Sequence, residues 1–336
     1  MAYNEYCRDI TKNRQRWHTM NNVTLKKIAE LSGVSIRTVS RALKNQPGVN
    51  PDLCTRILEL AEHLGYTPNI AARNLRLQRS NCVGIISTFT DNHVATRKVN
   101  NLQKQLEEHG FFSLLGLLPP SPADLRSILQ EWAGMANTVV FLSWHHQLKP
   151  SEVLQGLPQQ FIFVDIADFS GYHSLSIERG NGIREGISHL LRRGRRRIAR
   201  CGSIASRAHG FNLAFQDFKE AAAEHFYFQT PDSSFEDGQS IAPQLLANNI
   251  DAVFFDTDRM AYGFLKYCWN NHIRIPEQIS VIGFDDDPWS GYACPALSTV
   301  AHPLIEVNKH IVKLAIEEAP PARMEFSTRF INRESV

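Results

Sequence analysis

The chain has 336 residues, 43% of them hydrophobic, and a formal net charge of +2; this is more than one ordinary domain, with apolar material enough for several cores. Residues 1–80 hold 13 Lys and Arg against 6 Asp and Glu, residues 81–336 hold 23 against 28, and such a basic head on an acidic body suits phosphate contact by the head alone. No apolar run reaches the roughly 18 residues a membrane span needs and no signal peptide is present, while 6 scattered cysteines without a C-x-x-C pair imply reduced thiols in a cytoplasm, with neither zinc nor disulfides.

Residues 1–22 read as an N-terminal extension without fixed structure. Met20-Asn21-Asn22 would make a natural start, which leaves 1–19 as an upstream extension or a basic arm carrying Arg8, Lys12, Arg14 and Arg16. Residues 23–68 predict a small all-helical domain. Thr24 is placed to cap a helix whose Leu25, Ile28, Ala29 and Leu31 share one face, and Gly33 offers the positive φ of a tight turn. Ser35 caps a second helix that turns Val34, Val39, Ala42 and Leu43 inward and leaves Ile36, Arg37, Ser40 and Arg41 outward, a mix of apolar and donor groups suited to a DNA groove. Asn50-Pro51 opens a third helix with Leu53, Ile57, Leu60, Ala61 and Leu64 at helical spacing, stopped at Gly65. The pattern is that of a helix-turn-helix; a three-helix bundle that touches no nucleic acid has the same periodicity.

Residues 69–80 follow as a hinge and linker. The segment Asn69–Leu75 offers barely two helical turns, too short to be stable alone, because nucleation is unfavourable below about 12 residues. Taken by itself, Leu75 reads as a core leucine. From residue 81 strand and helix alternate. CVGIIS, FFSLLGL, TVVFLS and FIFVDI are expected as buried parallel strands, then RIARCG, AVFFD and ISVIGF, with helices near 181–193, 208–225, 236–248 and 258–272. This gives two lobes, the first about 81–177 plus 301–319 and the second about 178–300 plus 320–336, with a ligand cleft at the strand carboxyl ends.

Arg207 and Asp258 fall just after strands, where a guanidinium fork and a carboxylate can hold a small polyol or acid; a salt bridge across the lobe interface is the plainer alternative. Asp91, Asp165 and Asp285 are weaker candidates, because each can serve as a backbone cap. Trp144, with His145 and His146, can offer ring faces to a ligand or sit in a solvated loop, and Phe235 lies close to Ser233. The arginine run at 192–197 sits at a helix-to-strand turn, where the helix dipole favours it, and is not read as a second nucleic-acid patch. No G-x-G-x-x-G after a strand, P-loop, G-x-S-x-G or H-E-x-x-H occurs, which removes the main support for an enzyme. Asp285-Asp286-Asp287 is the only carboxylate cluster, and three consecutive strand residues cannot all face one ion. No cofactor or metal is expected.

Taken together, VTLKKIAELSGVS-x-x-TVSRAL, GVN at 48–50, LGYTPNIAARNLR, the R-x-x-G-F of Arg207–Phe211, the D-x-MA-x-G of Asp258–Gly263, ISV-x-GFDD at Ile279–Asp286 and the terminal RES at Arg333–Ser335 resemble the lactose-repressor (LacI/GalR) family of bacterial transcription regulators over nearly the whole chain. The resemblance implies a helix-turn-helix domain joined to a two-lobed, periplasmic-binding-protein-like α/β effector domain with parallel sheets. It implies a homodimeric repressor, or less often an activator, on double-stranded operator DNA, switched by a sugar-like effector bound between the lobes.

On that footing the DNA-contacting set is Thr24, Ser35, Ile36, Arg37, Thr38, Ser40, Arg41 and Asn45 in the head. In the hinge it is Asn69, Ala72, Arg73 and Leu75, the last a wedge for a minor-groove base step. The effector set is Asp91, Trp144, Asp165, Arg207, Phe235, Asp258 and Asp285. Two departures blur the effector: Asn92-His93-Val94-Ala95 replaces the usual N-P-F-F, and Ser233 stands where relatives carry an aromatic. The chain ends soon after RES, so a dimer without a tetramerising helix is expected. A solute-binding protein with no DNA role is the alternative, and it would need export.

Overall fold

Thr24 lies in extended backbone (φ −100°, ψ 156°), and its hydroxyl accepts the Lys27 N–H at 3.3 Å, which starts helix α1 (Leu25–Ser32). Gly33, at φ 69°, ends that helix and turns the chain. The Ser35 hydroxyl then accepts the Thr38 N–H at 3.1 Å and opens α2 (Ile36–Ala42). Asn50 caps α3 (Pro51–His63) through the Asp52 N–H at 2.9 Å, with proline at the first helical position. Each start satisfies donors that the helix itself leaves orphaned.

Ile28, Ala29, Val39, Ala42, Ile57 and Ala61 close a single core between the three helices. Leu31, expected to face inward, is 52% exposed. An eight-residue helix packing on two short partners buries only a narrow stripe, and Leu31 falls on its rim.

The computed structural model describes residues 23–43, 46–66, 80–88, 93–145, 148–166, 169–217, 223–317 and 319–336. They belong to two units, Met1–Leu77 and Gln78–Val336. In the second unit the first lobe is built from β1 (Cys82–Ser87), β2 (Phe112–Leu117), β3 (Thr138–Phe141), β4 (Gln160–Val164), β5 (His173–Glu178) and β11 (Arg323–Ser327). They form one parallel sheet in the order β11-β5-β4-β3-β1-β2. Helices α4 (His93–Glu108), α5 (Pro122–Trp132), α6 (Pro150–Leu154) and α11 (Leu304–Ile316) belong to this lobe.

The second lobe repeats the plan with β6 (Arg197–Cys201), β7 (Glu224–Phe228), β8 (Ala252–Phe255), β9 (Ser280–Asp285), β10 (Ser298–Ala301) and β12 (Arg329–Ile331), ordered β12-β10-β9-β8-β6-β7. All pair in parallel except β12, which runs antiparallel to β10. Its helices are α7 (Gly180–Arg192), α8 (Ala205–Asp217), α9 (Phe235–Ala247) and α10 (Asp258–Asn270). Helices α9 and α10 touch backbone to backbone: a Cβ at Gly238 would strike the Met260 carbonyl, and one at Gly263 the Phe235 carbonyl.

Three expectations are corrected. Residues 320–336 do not lie wholly in the second lobe, since β11 completes the first sheet and only then does the chain cross to β12. FFSLLGL is a strand but not a buried one. It forms the sheet edge, with Phe112 57%, Leu115 44% and Leu117 59% exposed, because no neighbouring strand among the described residues covers its outer side. The helix expected over 208–225 is described over Ala205–Asp217, residues 218–222 lie outside the described residues, and its expected last positions, Glu224 and His225, open strand β7 instead. The chain passes between the lobes three times, and the first and last crossings are tied together: the Thr328 N–H donates to the Glu178 carbonyl at 2.9 Å and its hydroxyl to the Arg179 carbonyl at 3.1 Å.

Candidate functional site

In the head, α2 presents Ile36, 46% exposed, and a shallow concavity is lined by Leu25, Ile36, Arg37, Ser40, Arg41 and Gln46. Val39 and Ala42 hold the opposite face in the core, so the two arginines and the isoleucine are fixed on one side. An apolar tip beside two guanidinium groups is the combination that reads a thymine methyl and guanine or phosphate oxygens in a major groove. Thr24, Ser35 and Thr38 spend their hydroxyls on the helix starts, with Ser35 Oγ and Thr38 Oγ1 2.9 Å apart. Asn45, Asn69, Ala72, Arg73 and Leu75 lie outside the described residues, as does Asp91.

In the second unit Arg207 and Asp285 come together. The Arg207 Nη2 donates to Asp285 Oδ1 at 3.0 Å, and its guanidinium carbon lies 4.0 Å from the Phe284 ring centre. Both residues belong to the second lobe, so the salt bridge does not cross the lobe interface. Arg207 is 7% exposed, and its Nε and Nη1 have no partner among the described residues. Asp285 ends β9 with a positive φ of 115°, a strained value for a residue with a side chain. His302, on the crossing after β10, places Nε2 at 3.2 Å from the same Asp285 oxygen. Burial lowers the His302 pKa; Asp285 pulls it back up, and the charges of Lys98 and Arg207 push it down again. A neutral His302 therefore donates to Asp285 without adding charge.

Asp258 is placed differently from its expected role. It is 1% exposed, its Oδ2 accepts the Asp287 N–H at 2.7 Å and its Oδ1 accepts the Thr299 hydroxyl at 2.5 Å. Burial, and then the nearby Asp285 charge, push its carboxyl up to about 8. Its geometry is that of a staple tying α10 to the ends of β9 and β10.

Trp144 is neither a free ring face nor part of a solvated loop. It is 6% exposed, packs edge-on to Phe141 at 4.9 Å and Phe163 at 5.2 Å, and gives its indole N–H to the Leu148 carbonyl at 2.8 Å. Phe235 is half-buried at the start of α9. The arginine run is absorbed locally: Arg196 donates to the Leu191 carbonyl, Arg195 to the Pro276 carbonyl, and Arg197 pairs with Glu224 at 2.7 Å.

Asp165, at φ 60° after β4, accepts from Lys98 Nζ and Arg179 Nη2, each at 2.7 Å. Burial raises its pKa, but the two cations outweigh burial and hold it below the usual carboxylate value. Arg97, one turn into α4, reaches across from the first lobe and donates to the backbone carbonyls of Asp285, at 3.1 Å, and Asp286. Sequence reasoning missed Arg97, Lys98, Arg179 and His302 because their partners lie 14 to 189 positions away. It also missed the pair of Arg200, 2% exposed in the middle of β6, with Asp256, 0% exposed, at 2.6 Å. A charged residue inside the apolar run RIARC was the available signal, since a buried charge requires a partner.

Residues 24–69 match the model of the bacterial regulatory proteins of the lacI family, and residues 187–336 match the periplasmic binding protein-like domain. The chain is 29% identical to the probable HTH-type transcriptional repressor ExuR of Bacillus subtilis, over 94% of this chain and 98% of that one. It is 27% identical to the HTH-type transcriptional regulator GntR of Pseudomonas aeruginosa, over 97% and 99%. Its fold is similar to that of the lac repressor dimer bound to operator and the anti-inducer ONPF, with a TM-score of 0.74 at 20% identity, over 94% of this chain and 99% of that one. Among the described residues no helix is long and apolar enough to cross a membrane. With a helix-turn-helix in one unit and a two-lobed α/β fold in the other, the chain carries a lacI-family regulatory domain and a periplasmic binding protein-like domain, and along nearly its full length it is similar to bacterial transcription regulators.

Proposed function

We propose that the protein is a cytoplasmic, nucleoid-associated homodimeric repressor. It places Ile36, Arg37 and Arg41 in successive major grooves of a pseudo-palindromic operator and releases or tightens that grip when a small sugar-like metabolite enters the cleft around Arg207 and Asp285. The exposed face of α2 carries this reading: Ile36 is 46% exposed on a helix whose other side is locked in the core. Dimerisation is supported by apolar surface left uncovered on the second unit, Phe112, Leu115 and Leu117 on β2 and Trp289 and Tyr292, 65% and 82% exposed, after β9. Arg97, which spans the lobes, supports a closure that a ligand biases, with a coupling of about 1–3 kcal/mol typical of such sites.

In a gel-shift titration at fixed salt, Arg41→Ala lowers operator affinity by about 1–3 kcal/mol or more, the worth of a bidentate base contact. Unchanged affinity would remove α2 from the DNA interface. A DNA affinity that does not fall with added salt would favour a solute-binding protein.

A further inference from the structure

Four cationic side chains converge on the cleft: Arg97 and Lys98 from α4, Arg179 from the first crossing, and Arg207 from α8. Two carboxylates answer them, since Asp165 takes both Lys98 and Arg179 and Asp285 takes Arg207. Among the described residues the other acids nearby are engaged elsewhere: Asp256, whose charge also reaches Arg207, is paired with Arg200, and the Asp287 and Glu178 carboxylates accept from backbone N–H groups. Asp286 is paired with Arg333 at 2.6 Å, and Asp258 is fully buried with both oxygens already engaged. Among the described residues Arg97 meets only backbone carbonyls, and no carboxylate pairs with it. Lys98 and Arg207 both act on His302, so the fields of the two lobes meet at one place.

Arg207 supplies the second, independent observation. It is more than nine-tenths buried, yet Nε and Nη1 have no partner, while Phe284 beneath the guanidinium blocks one face. Buried donors without acceptors are costly, and costlier still when a site closes around a ligand that cannot accept from them and expels water.

Resting on the effector-controlled reading above, we propose that the effector is an anion, a small polyhydroxylated molecule bearing a carboxylate or phosphate group. The anionic oxygens take the open edge of Arg207 and the charge of Arg97, and Asp285 accepts the hydroxyls. A planar guanidinium fork is the donor best matched to either group. An anion that meets Arg207 in the second lobe and Arg97 from the first holds the lobes together through charge, which gives the ligand a preference for one lobe arrangement.

The test is a thermal-shift titration of the full chain with D-gluconate, D-galacturonate and D-glucose 6-phosphate, each against its neutral parent, D-glucose or D-galactose. A ligand that binds only the folded state raises Tm. The proposal expects at least one acid or phosphate to raise Tm where its parent does not, and which arm responds identifies the anionic group. Arg97→Gln then weakens that ligand about tenfold or more, as loss of a contact to a charged group does. Stabilisation by neutral sugars alone, by none of the panel, or equally by acid and parent overturns the proposal. Each of those outcomes leaves DNA recognition intact, because that reading fails separately, by absence of sequence-selective duplex binding.

Discussion

The two lobes share one plan, six strands in matching order, yet they fill it with different chemistry. The first lobe packs Phe141, Trp144, Phe161 and Phe163 into an aromatic cluster, with Phe141 stacked on Phe163 at 5.0 Å, and keeps its ionic groups at the rim around Asp165. The second lobe carries ion pairs inside: Arg200 with Asp256 in the sheet, and Arg207 with Asp285 at the strand ends. Buried pairs are not efficient stabilisers, and hydrophobic replacements often do as well. Their value here is placement. Asp256 also accepts the Ile204 N–H at 2.8 Å and so pins the loop that delivers Arg207. One lobe is thus mainly a packed frame that carries cations at its rim, and the other is a frame built around buried ion pairs.

The sharpest way to break this contrast is to remove one partner of the interior pair. Arg200→Met leaves Asp256 buried and uncompensated, and urea denaturation should show a loss of about 3–5 kcal/mol. Adding Asp256→Leu should restore much of it, because the two residues couple. A loss below about 1 kcal/mol for the single variant would mean that the interior is more hydrated than its geometry implies.

A pH series separates the lobes more finely. The Asp258 carboxyl, pushed up to about 8, holds a proton in the folded chain that an unfolded Asp releases near pH 4. The stability it contributes is full below about pH 4 and is lost as pH rises through about 8. Asp165 has the opposite sign. Its pKa is lowered, so its contribution is present above the unfolded value and is lost as pH falls. Asp258→Asn should therefore flatten the decline of Tm between pH 5 and 8, whereas Asp165→Asn should leave that decline in place. The reverse result would reassign the pH response to the first lobe.

The smallest effect belongs to the rim. Lys98→Met leaves Asp165 with Arg179, 2.7 Å away, and in the same urea assay should cost only about 1 kcal/mol. A loss matching that of Arg200→Met would erase the difference between a rim pair and an interior one.

The sequence carried local features well and distant ones poorly. Thr24, Ser35 and Asn50 announced their helices because a cap acts within three residues. Continuous apolar runs announced β1, β3, β4, β8 and β9, all buried on both faces. Strands β7 and β11 escaped because they sit at sheet edges with mixed, half-exposed residues that carry no clean period. Of the effector set, Arg207 and Asp285 were found by motif and are joined in the fold, but Trp144 shows the limit of composition. A tryptophan after a strand looks like a platform until the lobe core is seen to close over it. Charge pairing was the least legible feature, since no pattern in α4 indicates that Arg97 ends beside Asp285.

All of this depends on the head reading DNA as a symmetric pair. Selection of bound duplexes from a randomised pool, using the full chain at about 0.15 M salt, where specific and non-specific binding separate, addresses that directly. The expected product is an inverted repeat whose half-sites lie a whole number of turns apart, about 10 base pairs or a multiple, with base preferences relaxed by Arg41→Ala. Recovery of no enriched sequence, or of a single asymmetric site, would contradict a dimeric reading head.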